Sequence, residues 1–206
     1  MGAFSLVMGR HVDHQDTSDL PFSYLIEKQG VTFVMPGANI KSVGTIRDAK
    51  KWPKRDGRKD PDKFDCINYN LLSPYTIQKM LRATDILKEV KRVSGSNTEV
   101  YSYQNGKIRR SSLEKGLNYY SMAIDKFLGN SLISRIQKAG EINDADSLRA
   151  ALRKDSEIGA GDWVDLSGLI APRSEVFALL DDVESGAVTD VSAIDARFRE
   201  MHANYY

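Results

Sequence analysis

Apolar positions come first in short runs and later at helical spacing, and the two patterns predict two kinds of element. Three runs stand near the start: 3–8 (Ala-Phe-Ser-Leu-Val-Met), 22–27 (Phe-Ser-Tyr-Leu-Ile-Glu) and 31–35 (Val-Thr-Phe-Val-Met). Short apolar runs bounded by turn residues predict strands. The first reads as buried and stops at Gly9. Gln29-Gly30 joins the second and third as a hairpin-like turn, and His11 to Pro21, polar and rich in Asp, reads as a loop. Residues 38–52 then place Ile40, Val43 and Ile46 on one helix face, and Pro53 is expected to stop that helix. Val34, Ile40 and Ile46 also recur at a period of six, the period of a left-handed β-helix. Two such intervals are too few to establish a repeat, and the helix is the preferred reading.

From residue 66 the pattern turns mostly helical. Residues 66–72 (Cys-Ile-Asn-Tyr-Asn-Leu-Leu) read as a strand. Ser73-Pro74 is a helix start, with Ser as cap and Pro in the first turn. The helix carries Ile77, Met80, Leu81, Ile86, Leu87 and Val90 and ends at Ser94-Gly95. Val100–Tyr103 and Lys107–Arg109 flank Asn105-Gly106, a strong short hairpin signal. Ser111 or Ser112 caps a long helix to about residue 138, with Leu117, Tyr120, Ile124, Phe127, Leu128, Leu132, Ile133 and Ile136 toward the core. A shorter helix at 145–154 follows the Asn143-Asp144 cap. Trp163, Val164, Leu166, Leu169 and Ile170 form an apolar patch, and helices are expected at 173–185 and 191–206. The fold class is therefore α+β: short strands at the N-terminus followed by a mainly helical region. The division falls near residue 72, giving a strand segment with a basic loop at 1–72 and a helical domain at 73–206.

Composition narrows the partners. The 206 residues are 41% apolar and 28% charged, and the net charge is +1, so any basic surface is local. Nucleic acid loses support as the main partner, since duplex binders show a clear basic excess. Cys66 is the only cysteine, which rules out an intrachain disulfide and fits a reducing, cytoplasmic setting. No apolar run approaches the ~20 residues that span a bilayer, so no membrane partner is expected. Apolar residues at both ends, Phe4 onward and Phe198, Met201, Tyr205 and Tyr206, lead us to expect a piece of a longer protein.

Two stretches carry candidate chemistry. His11, Asp13, His14, Asp16 and Asp19 crowd one loop. His-x-x-His beside carboxylates suits a divalent metal, but no third ligand from elsewhere is evident, and a solvated loop with Asp in turns is the preferred reading. His11 or His14 could instead serve as a base, histidine being poised near neutral pH. No metal and no cofactor is assigned.

The second stretch is the charged run Lys50 to Lys63, which also holds Trp52 and is followed by Phe64. Between residues 47 and 59, Arg47, Lys50, Lys51, Lys54, Arg55, Arg58 and Lys59 face only Asp48 and Asp56. Arg forks suit phosphate, and Trp52 offers a stacking surface. Against this, Asp56, Asp60, Asp62 and Asp65 are interleaved, and local self-pairing would cancel the field. The ligand-facing set is therefore His11, His14, Arg47, Lys51, Trp52, Arg55 and Arg58. Gly159-Ala160-Gly161 lacks the strand-turn-helix context of a nucleotide loop, and no Gly-x-Ser-x-Gly elbow occurs.

The segments Phe4-Ser5-Leu6-Val7, Leu20-Pro21-Phe22-Ser23-Tyr24-Leu25-Ile26, Val34-Met35-Pro36, Trp52…Arg55-Asp56 and Tyr69…Leu72-Ser73-Pro74 add a resemblance over roughly residues 3–82. They look like a bacterial family of unknown function whose members carry an N-terminal left-handed β-helix of hexapeptide repeats. That β-helix is similar to those of trimeric sugar and lipid-A acyltransferases. The resemblance implies that this chain is the C-terminal part, without the repeats, and that oligomers form through the missing β-helix. No catalytic residue carries over, because the transferase clefts lie between β-helices.

Two main readings result, ranked above a third, an RNA-binding module that uses Trp52 and the basic run. One is the C-terminal region of a hexapeptide-repeat, transferase-like protein that contacts a nucleotide-sugar or another small anionic, phosphorylated ligand. The other is a non-catalytic interaction or assembly module.

Overall fold

The computed structural model describes residues 1–59, 65–153 and 156–204. The fold is α+β, with strands gathered toward the N-terminus and helices after them. Contacts group the chain into two compact units, each made of two stretches: Met1–Lys51 with Thr76–Gly129, and Trp52–Tyr75 with Asn130–Tyr206.

The first unit is built on a five-stranded sheet: β1 (Leu6–Met8), β2 (Tyr24–Lys28), β3 (Val31–Met35), β4 (Val100–Tyr103) and β5 (Gly106–Arg109), in the order β1-β2-β3-β5-β4. β2 and β3 pair antiparallel through Gln29-Gly30, whose φ angles of 53° and 78° give the doubly left-handed turn that matches strand twist. β1 lies parallel to β2, and β5 parallel to β3. Period-two alternation puts Leu25, Thr32, Val34 and Ile108 on the buried face. After a 3₁₀ turn at Ala38–Lys41 comes α1 (Val43–Arg55), none of whose residues is buried. Two further helices, α2 (Pro74–Ser94) and α3 (Arg110–Ala139), contribute to the core of this unit. α2 buries Ile77, Met80, Ala83 and Leu87, one stripe at helical spacing, and α3 buries Leu113, Gly116, Tyr120 and Ala123. The Tyr120 hydroxyl donates to the Pro21 carbonyl at 2.8 Å.

The second unit contains α4 (Ala145–Leu152), the hairpin of β6 (Trp163–Leu166) and β7 (Leu169–Pro172), α5 (Arg173–Glu184) and α6 (Val191–Ala203). Asp144 caps α4 by accepting the Ser147 N–H at 2.7 Å, and this holds the Asp144 carboxyl below its usual range. Leu169, Ala171, Leu179 and Met201 form the core, with Cys66, Val176, Ile194 and Phe198 packed around it. Among the described residues no helix is long and apolar enough to cross a membrane.

Several expectations are corrected. β1 is an edge strand whose Leu6, Val7 and Met8 are all exposed, because it has a neighbour on one side only. α1 runs through Pro53 to Arg55, since a proline this close to the end removes a single hydrogen bond. Ile40 and Ile46 sit in the 3₁₀ turn and in α1, so the period of six has no counterpart in the backbone. Residues 66–72 form no strand: Asn68 uses its side chain to accept the Asn70 N–H, a local bond that competes with a ladder. The apolar patch at 163–170 is instead the β6–β7 hairpin, turned at Ser167-Gly168. In the β4–β5 hairpin the turn is Gln104-Asn105, one residue earlier than expected. Gly106 belongs to β5 because a Cβ there would sit 3.1 Å from Gln15 Cγ and 3.2 Å from the Thr32 carbonyl oxygen. Leu81, Leu128, Leu132 and Ile133 are exposed, being off the buried stripes. Lys154, Tyr205 and Tyr206 lie outside the described residues.

Two stability predictions follow from this core. Leu87 is 0% exposed and Leu81 52% exposed. Leu87→Ala should lower the unfolding free energy by ~2–5 kcal/mol, and Leu81→Ala by no more than ~0.5, in denaturant titrations. Equal losses would mean that α2 presents another face. Burial pushes the Tyr120 hydroxyl well above its usual pKa, so the folded chain keeps its proton where the unfolded chain loses it. Stability from this group is full below about pH 10 and falls as pH rises beyond it. Tyr120→Phe should flatten that alkaline decline; an unchanged slope would contradict the burial of this proton.

Candidate functional site

In the first unit a cavity of 320 Å³ lies where β2, β3 and β5 meet the start of α3. From β2 and β3, Ile26, Lys28, Phe33, Val34 and Met35 line it, Val34 itself being buried, while Leu25 is buried away from it. β5 ends at Arg109 and α3 begins at Arg110 with no loop between them. The junction therefore delivers Arg109 from the strand and Ser111, Ser112 and Lys115 from the first turns of the helix to one rim. Tyr119 follows Lys115 one turn later on the same helix face.

Charge at this rim is one-sided. Among the described residues, Lys28, Arg109 and Lys115 line the cavity, and no carboxylate does. None of the three has an ion-pair partner among the described residues. The Arg109 guanidinium lies over the Phe33 ring at 5.1 Å, and the Lys41 ammonium over the Tyr119 ring at 4.7 Å. Stacking leaves the N–H edge of a guanidinium free, so Arg109 is oriented without being consumed.

The second unit has its own cavity, of 460 Å³, lined by Asp56, Arg58, Asp65, Cys66, Tyr69, Arg199 and His202 among others. Here the cations are already engaged. Arg58 donates to Asp56 at 2.8 and 2.6 Å and to Asp65 at 2.6 Å. These bonds raise the Arg58 pKa and hold the Asp65 carboxyl below its usual range. Arg199 donates to Asp195 at 2.6 Å. An anion entering this cavity would have to compete with carboxylates already in place.

The residues singled out in the sequence are dispersed. The His11 ring is a tie: Nε2–H donates to the Met8 carbonyl at 3.0 Å, and Nδ1 accepts from the Thr32 hydroxyl at 2.8 Å. The tautomer follows from Met8, whose carbonyl can only accept. With both nitrogens occupied, His11 is not placed as a free base. His14 is exposed on the same loop. Arg47 pairs with Asp48 at 3.1 Å, while Lys51, Trp52 and Arg55 project from α1, with Trp52 60% exposed. Arg58 alone lines one of the two cavities. Asp60, Asp62, Lys63 and Phe64 lie outside the described residues. Among the described residues no three His, Cys, Asp or Glu side chains converge to hold a metal ion.

Pattern reading missed Lys28, Arg109 and Lys115, and it took Ser111 and Ser112 for caps alone. The available signal was Arg109-Arg110-Ser111-Ser112, a basic strand end running straight into a hydroxyl-bearing helix start.

Family models match two parts of the chain: one described as Domain of unknown function (DUF4954) over residues 1–91, and one described as Domain of unknown function (DUF6819) over residues 144–206. No curated protein and no solved structure matches.

The two loop histidines should separate cleanly in denaturant titrations. His11→Ala breaks two hydrogen bonds and strips the partner from buried Thr32, which should cost ~1–3 kcal/mol. His14→Ala should change stability by less than ~0.5 kcal/mol. An unaffected His11→Ala variant would remove the structural role assigned to this ring.

Proposed function

We propose that this chain contains a binding module for a small phosphorylated anion, held in the first unit's cavity by Lys28, Arg109 and Lys115. One observation carries this reading: three cations converge on a cavity whose lining contains no carboxylate. Charged hydrogen bonds from ammonium and guanidinium groups, with hydroxyls from Ser111 and Ser112, suit phosphate oxygens. The expectation of a phosphorylated ligand is kept and its place is moved, away from the 47–59 segment where Arg47 and Arg58 already pair with aspartates. In the wider proposal, the module serves a hexapeptide-repeat, transferase-like protein as its C-terminal region.

A second reading, a non-catalytic assembly module, has its own support in β1. This edge strand exposes Leu6, Val7 and Met8 beside an open row of backbone groups, the usual template for pairing with another strand.

Calorimetric titration of the chain with inorganic phosphate and pyrophosphate tests the first reading. Arg109→Gln and Lys115→Gln should each weaken binding ~10-fold or more, the effect of losing one charged hydrogen bond. Added salt should weaken it further. The double variant Arg55→Glu/Arg58→Glu should bind nearly as the parent does. The opposite pattern would return the site to the 47–59 segment, and no binding at millimolar anion would leave the assembly reading ahead.

A further inference from the structure

We infer that the first unit's cavity selects a phosphate monoester of an apolar alcohol, a dianion with a hydrocarbon body, over a sugar phosphate. This rests on the anion-binding reading and names its ligand class.

The cavity is divided by chemistry. Its charged rim is Lys28, Arg109 and Lys115. Beyond the rim the lining is apolar: Ile26, Phe33, Val34, Met35, Pro36 and Ala38. A sugar exposes hydroxyl groups on every side, and each one that is buried needs an acceptor or a donor. The lining offers none of the Asp, Glu, Asn or Gln side chains that commonly meet them. Ser111, Ser112 and the Tyr119 hydroxyl are its only uncharged polar side chains, and the two serines stand at the helix start beside the rim. A sugar would therefore be desolvated against Ile26, Phe33 and Met35, whereas an alkyl or aryl group gains by the same burial. The charge count selects the head. Three cations without counter-charges favour a dianion over a monoanion of the same shape, since each unpaired cation adds attraction in proportion to ligand charge.

Four probes separate these claims in calorimetric titrations of the whole chain at about pH 8, where a phosphate monoester is a dianion. They are butyl phosphate, butyl sulfate, glycerol phosphate and inorganic phosphate. Butyl phosphate should bind at least ~10-fold tighter than glycerol phosphate, roughly what burial of two methylenes gives. It should also bind several-fold tighter than butyl sulfate, which has nearly the same shape and one charge fewer. Ile26→Thr should shrink the butyl-to-glycerol ratio without changing the affinity for inorganic phosphate. Glycerol phosphate binding as well as butyl phosphate would overturn this inference and leave the anion site standing. Butyl sulfate equal to butyl phosphate would overturn the dianion part. Failure of all four probes would overturn the anion-binding reading together with this one.

Discussion

The cavity depends on how closely α3 approaches the end of β3. At Gly116 an added Cβ would lie 2.9 Å from the Pro36 Cβ and 3.0 Å from its carbonyl oxygen. Real Cβ atoms do not come that near, so any other residue would lever the helix away. Gly37 makes the reciprocal concession. Its φ of 66° is left-handed, and a Cβ there would meet Tyr119 Cβ and Tyr120 Cε1 at 3.3 Å each. One turn beyond Gly116, Tyr120 fixes the helix again through its hydrogen bond to Pro21. With α3 seated there, the helix backbone keeps Ser111, Ser112, Lys115 and Tyr119 at the rim. A close backbone contact at the end of β3 thus sets the geometry of the polar site beside it.

The two cavities show why counting charges is a poor guide to anion binding. Arg58 is the most tightly held guanidinium in the charged run, gripped by Asp56 and Asp65, and its field is cancelled where it stands. Arg109 is held by a ring, which orients it and leaves its charge uncompensated. Exposed ion pairs contribute little to stability, so the pairing of Arg58 matters more for what it withholds from a ligand than for what it adds to the fold. The cations that line the first cavity have no such partner among the described residues, and in the proposed reading a phosphate would supply one.

Much of the fold was legible because helices announce themselves locally. Ser73-Pro74 marked the start of α2, and apolar spacing marked its course. Strand roles were less legible, because exposure depends on neighbours that the sequence does not name. β1 has the composition of a buried strand and lies on an edge. Gly106 looked like a turn residue and is a spacer against Gln15 and β3. A single division near residue 72 could not express units that are each assembled from two separated stretches. The cavity was hidden for the same reason: Lys28, Arg109 and Lys115 are far apart in sequence and unremarkable one by one. Trp52 and its neighbours drew attention because their charges are dense along the chain, and density along the chain does not reveal which charges are paired.

The most direct measurement of the central claim is a crystal structure of the chain grown with tungstate, a strongly scattering tetrahedral dianion. An anomalous peak is expected among Lys28, Arg109 and Lys115, within hydrogen-bond reach of Ser111 or Ser112. A peak on α1 or beside Arg58 and Arg199, with the first unit's cavity empty, would contradict it.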